Sequence, residues 1–141
     1  MPSTVDLDAI SREVAASVGD KLELKNMKSV SVTARPLAVK RAIINVVGNA
    51  LKYGERARLS VIDGPYFAEV VVDDDGPGIP DDLRDEAFRP FTRLDQARSQ
   101  NTPGTGLGLA LTLDTARAHG GDVKLETSPL GGLRVRLRLP H

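Results

Sequence analysis

A chain of 141 residues, 40% of them hydrophobic, is long enough for one domain around a single core, and with no Trp and only 4% aromatic content that core must be built from Val, Leu, Ile and Ala. The 19 basic residues balance 19 acidic ones, so the chain lacks the basic field that bulk nucleic-acid binding needs. The absence of cysteine excludes disulfides, thiolate metal sites and cysteine catalysis, no apolar run approaches the roughly 18 residues of a membrane span, and no secretory signal pattern is present.

Leu7, Ile10, Val14 and Val18 recur at helical spacing, with Asp6 in the N-cap position and Gly19 as the stop. Leu22 and Leu24, then Val30 and Val32, alternate with polar residues and predict two short strands. Pro36 suits the first turn of a helix over residues 37–53. Its apolar face is Val39, Ile43, Val46, Val47, Ala50 and Leu51; Asn45, Asn49, Lys52 and Tyr53 share the other, and Gly54 breaks the helix. Residues 58–62 and 66–73 flank Asp63-Gly64-Pro65 as a hairpin, and Val70-Val71-Val72 is apolar on both faces, as a central strand would be. Pro80-Asp81-Asp82 opens a short helix ending near Phe88. Residues 93–103 are polar and aperiodic, a long mobile loop of the kind that serves as a lid. Residues 107–119 read as a helix stopped by Gly120-Gly121. A second hairpin follows, whose last strand turns Leu133, Val135, Leu137 and Leu139 inward and Arg134, Arg136 and Arg138 outward. Hairpins with helices interspersed predict a single domain over residues 1–141, an antiparallel or mixed sheet with helices packed on one face.

Two short segments, Asp74-Asp75-Gly76-Pro77-Gly78-Ile79 and Gly104-Thr105-Gly106-Leu107-Gly108-Leu109, hold 5 of the 13 glycines. Glycine lets a backbone approach a ligand with no Cβ in the way. A carboxylate in the first segment offers a fixed acceptor to a base, and a glycine-rich turn opening a helix offers N–H groups to phosphate. The pair reads as a nucleotide site. The Asn49 amide suits Mg²⁺, which keeps several waters and takes phosphate oxygens, and Lys52 stands close enough to meet phosphate charge. An ordinary solvated helix face accounts for the same spacing equally well. Strand alternation sends Asp73 and Asp75 away from Asp74, so these two read as strand-end and turn carboxylates. His119, at a helix end, reads as a dipole-compatible C-terminal residue and not a catalytic one.

In chain order, Asn45-x-x-x-Asn49-Ala50-x-Lys52-Tyr53 resembles the N box of sensor histidine kinases, Asp74-x-Gly76-x-Gly78-Ile79 their G1 box, and Phe88-x-x-Phe91 with Arg93 their F box. The segment 104–109 resembles their G2 box, and Gly131-Gly132 before a strand ending Leu139-Pro140 resembles the family's close. Five motifs in order make the resemblance specific, and it covers nearly the whole chain. The run Arg93-x-Asp95-x-Ala97-Arg98 further resembles the osmosensing branch. Gly48, where the family often has a polar residue, and Arg35, where it often has an acidic one, depart from the pattern.

The resemblance implies a Bergerat (GHKL-type) ATP-binding fold, an α/β sandwich of the α+β kind, with an ATP lid over about residues 80–105. It implies that Asp74 accepts from the adenine amine, with Gly76, Gly78 and Ile79 around the base. It puts Asn49 on Mg²⁺, Asn45 and Lys52 near the phosphates, and Tyr53 beside the nucleotide. Thr105, Gly106, Leu107, Gly108 and Leu109 line the phosphate loop, Arg93 and Arg98 steady the transferring phosphate, and Phe88 and Phe91 anchor the lid. Hydrolases on this fold resemble a pattern with Glu four residues before the metal-binding Asn. Here that residue is Asn45, and an amide is no general base at neutral pH. The implied reaction is therefore phosphoryl transfer to a histidine on a separate dimerisation domain, and indirectly to a response regulator. The only histidines are His119 and His141, so the chain reads as the cytoplasmic ATP-binding part of a longer membrane sensor. An anti-sigma-factor-type serine kinase is the alternative on the same fold. A degenerate, purely interacting domain is a third reading, opposed by the intact Asn49, Asp74 and glycine loops.

Overall fold

Three consecutive valines, Val70 to Val72, are buried on both faces of one strand, and that strand lies at the centre of the sheet. The computed structural model describes residues 2–88 and 108–141. Its elements are β1 (Ser3–Asp6), α1 (Leu7–Val18), a 3-10 turn (Gly19–Lys21), β2 (Leu22–Met27), β3 (Ser31–Ala34), α2 (Pro36–Tyr53), β4 (Ala57–Asp63) and β5 (Phe67–Asp74). Two 3-10 turns (Asp81–Leu83 and Asp85–Phe88), α3 (Gly108–Ala118), β6 (Asp122–Thr127) and β7 (Leu133–Pro140) complete the order. The main sheet has 5 strands in the order β2-β4-β5-β7-β6. Only β2 and β4 run parallel; β4–β5, β5–β7 and β6–β7 are antiparallel. The expected mixed, mostly antiparallel sheet is what forms.

The two faces of this sheet differ chemically because strand side chains alternate. Leu59, Val61, Val70, Val72, Val135 and Leu137 join the core together with Val39, Ile43, Val46 and Val47 of α2. On the opposite face the arginines of β7 pair with acids from neighbouring strands. Arg136 meets Glu69 at 3.3 Å and Glu126 at 2.8 Å, and Arg138 meets Glu69 at 3.4 Å. Arg134 grips Asp73 through two bonds of 2.7 and 3.2 Å, which raises the arginine's already high pKa. The layer of ion pairs covers Val71, which is buried outside the main core.

Three local features differ from the sequence reading. Ser3–Asp6 forms a strand paired with β3, which four residues with one buried side chain did not announce. Asp6 holds the N-cap position, but its side chain makes no capping bond. Its carboxyl instead shares a hydrogen bond with Asp8, which lifts its pKa above the ordinary value, against an opposing bond to Ser31. The expected helix after Pro80 is a pair of 3-10 turns, and Pro80 at its start supplies no capping side chain. Gly48 leaves α2 unbroken. At the end of α3, Gly120 and Gly121 return N–H groups to Arg117 (3.0 Å) and Ala116 (2.8 Å), closing the helix where expected.

Asp73 is 2% exposed and ion-paired with Arg134. Arg134→Ala should destabilise the domain by about 3 kcal/mol in urea unfolding, whereas replacing both partners with apolar residues should recover most of the loss.

Candidate functional site

The site forms where two elements end together. Ala57, the first residue of β4, pairs with Asp74, the last residue of β5. Only Gly54 to Arg56 separate β4 from the end of α2. The polar face of α2 is thereby carried to the loop that follows β5. Asn45, Asn49, Lys52 and Tyr53 are all half-buried on that helix. The Lys52 ammonium lies 5.4 Å from the centre of the Tyr53 ring, within range of a cation–π contact.

Asp74 points inward, as alternation requires, and is 2% exposed. Its Oδ1 accepts the Gly76 N–H at 2.9 Å and the Leu133 N–H at 3.1 Å. Its main-chain carbonyl accepts the Gly132 N–H at 3.1 Å. A Cβ on Gly132 would overlap that same Oδ1, so the turn between β6 and β7 lies directly on the carboxylate. Gly78 adopts φ +70°, a conformation that glycine takes without strain, beside the Gly132 carbonyl.

The flanking carboxylates do other work, as the strand-end and turn readings expected. Asp73 is held by Arg134 on the far face. Asp75 accepts the Arg56 N–H at 3.0 Å and the Glu55 N–H at 2.8 Å, and these bonds hold its carboxyl below the usual carboxylate range.

Two contributors have no local sequence signal. The backbone of Gly132 and Leu133 reaches Asp74 from the far end of the chain. Arg84 ties the loop after Asp74 to β6: its Nε donates to the Ile79 carbonyl at 3.1 Å, and its Nη2 to Thr127 Oγ1 at 2.8 Å. The side chains of Ile79 and Leu109 are buried in the core, and Phe88 packs against it. Gly108 opens α3. Arg93, Arg98, Thr105, Gly106, Leu107 and Phe91, and with them most of the expected lid, lie outside the described residues. His119 bonds to backbone through both ring nitrogens. Its Nε2 accepts the Arg35 N–H at 3.1 Å and its Nδ1 meets the Thr115 carbonyl at 2.7 Å, tying α3 to the start of α2.

The donor set fits a magnesium nucleotide. A buried carboxylate stands at one end, and two amides and an ammonium follow along one helix face. Among the described residues no group of three or more His, Cys, Asp and Glu could hold a metal ion; amide oxygen, water and phosphate oxygen are donors that Mg²⁺ accepts.

A family profile described as histidine kinase-, DNA gyrase B- and HSP90-like ATPase matches residues 34–141. The chain belongs to this family. The sensor histidine kinase GtrS of Pseudomonas aeruginosa is 43% identical over 140 residues, which are 98% of this chain and 29% of GtrS. The crystal structure of the ATP binding domain of PrrB from Mycobacterium tuberculosis superposes with TM-score 0.79 at 31% identity, covering 99% of this chain and 96% of that one. The histidine kinase domain of the E. coli osmosensor EnvZ gives 0.74 at 40% identity, over 99% and 89% of the two chains. The Bergerat-type sandwich inferred from the boxes is thus the fold of this ATPase family. The chain spans less than a third of GtrS.

Gly132→Ala should destabilise the domain by about 1–3 kcal/mol, because the added methyl displaces Asp74 or the turn. Thermal unfolding reads this directly. Asp75 has a folded pKa below its unfolded value, about 3.9 for a free Asp. Its stabilisation is therefore complete above that pH and is lost as pH falls through the lower folded value. Asp75→Asn should flatten this part of the acid-unfolding profile, seen in melting temperatures collected from about pH 5 to pH 2.

Proposed function

We propose that this domain binds Mg-ATP and donates the γ-phosphoryl group to a histidine on a separate helical dimerisation domain, as one half of a two-component kinase. The observation that carries the reading is the composition of α2. Asn45 and Asn49 share its polar face, and the helix contains no carboxylate at all. The site thus lacks the helix-borne base that would activate water, which disfavours hydrolysis and leaves an external acceptor. Phosphoryl transfer rests on positioning and charge neutralisation, so a domain without its own base remains competent.

In this reading Asp74 accepts from the exocyclic amine of adenine, and its bonds to Gly76 and Leu133 keep the acceptor from rotating away. Asn49 would hold the magnesium ion, whose chemistry is to neutralise and bridge phosphate oxygens. Asn45 and Lys52 face the phosphates from the same helix side, and Tyr53 flanks the nucleotide. No described helix is long and apolar enough to cross a membrane. A cytoplasmic site, the dimerisation domain as partner and a response regulator beyond it belong to the proposal. They are supported by the sensor kinases GtrS and EnvZ as relatives. Nothing observed favours the serine-kinase alternative.

Incubation with γ-labelled Mg-ATP and a histidine-kinase dimerisation domain should place acid-labile label on that partner. Acid-stable label on serine would overturn the histidine assignment, and no nucleotide binding at millimolar ATP would overturn the whole reading. Asp74→Asn should weaken ATP binding by about one to two decades, the loss of a charged hydrogen-bond acceptor, while the domain stays folded. Affinity at the wild-type level would remove Asp74 from the adenine role.

A further inference from the structure

The two halves of the proposed site lie on different elements: the base acceptor on the last residue of β5, the phosphate-facing groups on the last turns of α2. Their relative position depends on how the end of α2 is fastened to the end of that strand. We infer that Asp75 is a positioning residue for the nucleotide site, whose carboxylate straps the turn ending α2 to the end of β5, where Asp74 lies. The inference rests on the nucleotide reading above.

Asp75 Oδ1 takes two consecutive N–H groups, those of Glu55 and Arg56, immediately after the helix ends at Tyr53. The Asp75 N–H returns to the Arg56 carbonyl at 3.3 Å, so side chain and backbone close a small ring across the seam. Two glycines make the approach possible. A Cβ on Gly54 would stand 2.7 Å from Asp75 Oδ1, and a Cβ on Gly76 would stand 2.6 Å from the Tyr53 carbonyl oxygen. Real Cβ atoms do not come this close, so both positions need glycine while the seam is shut. The glycine of the Asp74 loop is thus explained at Gly76 by contact with the helix end. Asp75 acts through the spacing between Asp74 on one side and Asn49, Lys52 and Tyr53 on the other.

The carboxylate serves as an acceptor for two N–H groups, a role an amide oxygen can fill. That separates a strap from a charge effect. A ligand that bridges both halves should feel the strap, and one that engages only the base end should not.

The test measures Mg-ATP and adenosine affinity for the wild-type chain, Asp75→Ala and Asp75→Asn, with hydrogen exchange at the Glu55 and Arg56 amides. Asp75→Ala should weaken Mg-ATP by about tenfold, leave adenosine within about twofold and expose both amides, and Asp75→Asn should restore all three. Equal losses for Mg-ATP and adenosine would indicate general loosening and overturn the inference. So would unchanged Mg-ATP affinity with the amides exposed, or a failure of Asn to rescue. Glu55→Pro covers the case in which Asp75→Ala does not fold. It deletes one donor and leaves Asp75 in place, and Gly54 already has the extended backbone a residue before proline adopts. It should reproduce part of the Mg-ATP loss and spare adenosine; wild-type Mg-ATP binding by this variant would overturn the strap. A wild-type chain that binds no Mg-ATP overturns the function itself, an outcome distinct from wild-type binding retained in Asp75→Ala.

Discussion

A carboxylate buried at the end of the central strand has to be satisfied, and the site is arranged around doing so. Leaving a charge in an apolar layer without partners is prohibitive. Asp74 solves this with backbone N–H groups from Gly76, two residues on, and Leu133, 59 positions away. The distant donor exists only because β7 pairs beside β5 and its preceding turn folds back over the strand end. Core packing, sheet order and a ligand-facing acceptor are therefore one construction: the sheet that buries Val70 and Val72 also delivers the amide that holds Asp74.

Three successive acids show how strand geometry divides labour. Asp73 faces the ion-paired side and serves stability through Arg134. Asp74 faces the helix layer and is the acceptor proposed for the adenine amine. Asp75, just past the strand, fastens the helix end. Identical chemistry at three adjacent positions acquires three roles because the side-chain direction reverses at each residue while the strand lasts. The surrounding glycines are packed against protein as much as opened toward ligand. Gly54, Gly76 and Gly132 each sit where a Cβ would meet a neighbouring oxygen.

Much of this was legible in the residues. The apolar face of α2, the central Val70-Val71-Val72 strand and the strict alternation of β7 all stood at their expected places, because each is a local pattern set by burial. The amide face of α2 and Asp74 were legible for the same reason. β1 was not, because one buried valine in four residues carries no period. Nor was the bulge in β2, where Asn26 takes φ 55° between Leu24 and Met27. Arg84 gave no signal, since its partners on β6 are more than 40 positions away.

The sequence by itself determined the main helices and the central and last strands, the family and the chemical identity of the acceptor and amide groups, because periodicity and motif spacing are properties of neighbouring residues. The tertiary structure alone decided which donors hold Asp74, which arginine holds Asp73 and how the end of α2 is fastened to the loop beside it. Those facts depend on strand order and on close backbone contacts between segments far apart in the chain, and no local pattern encodes the distance between them.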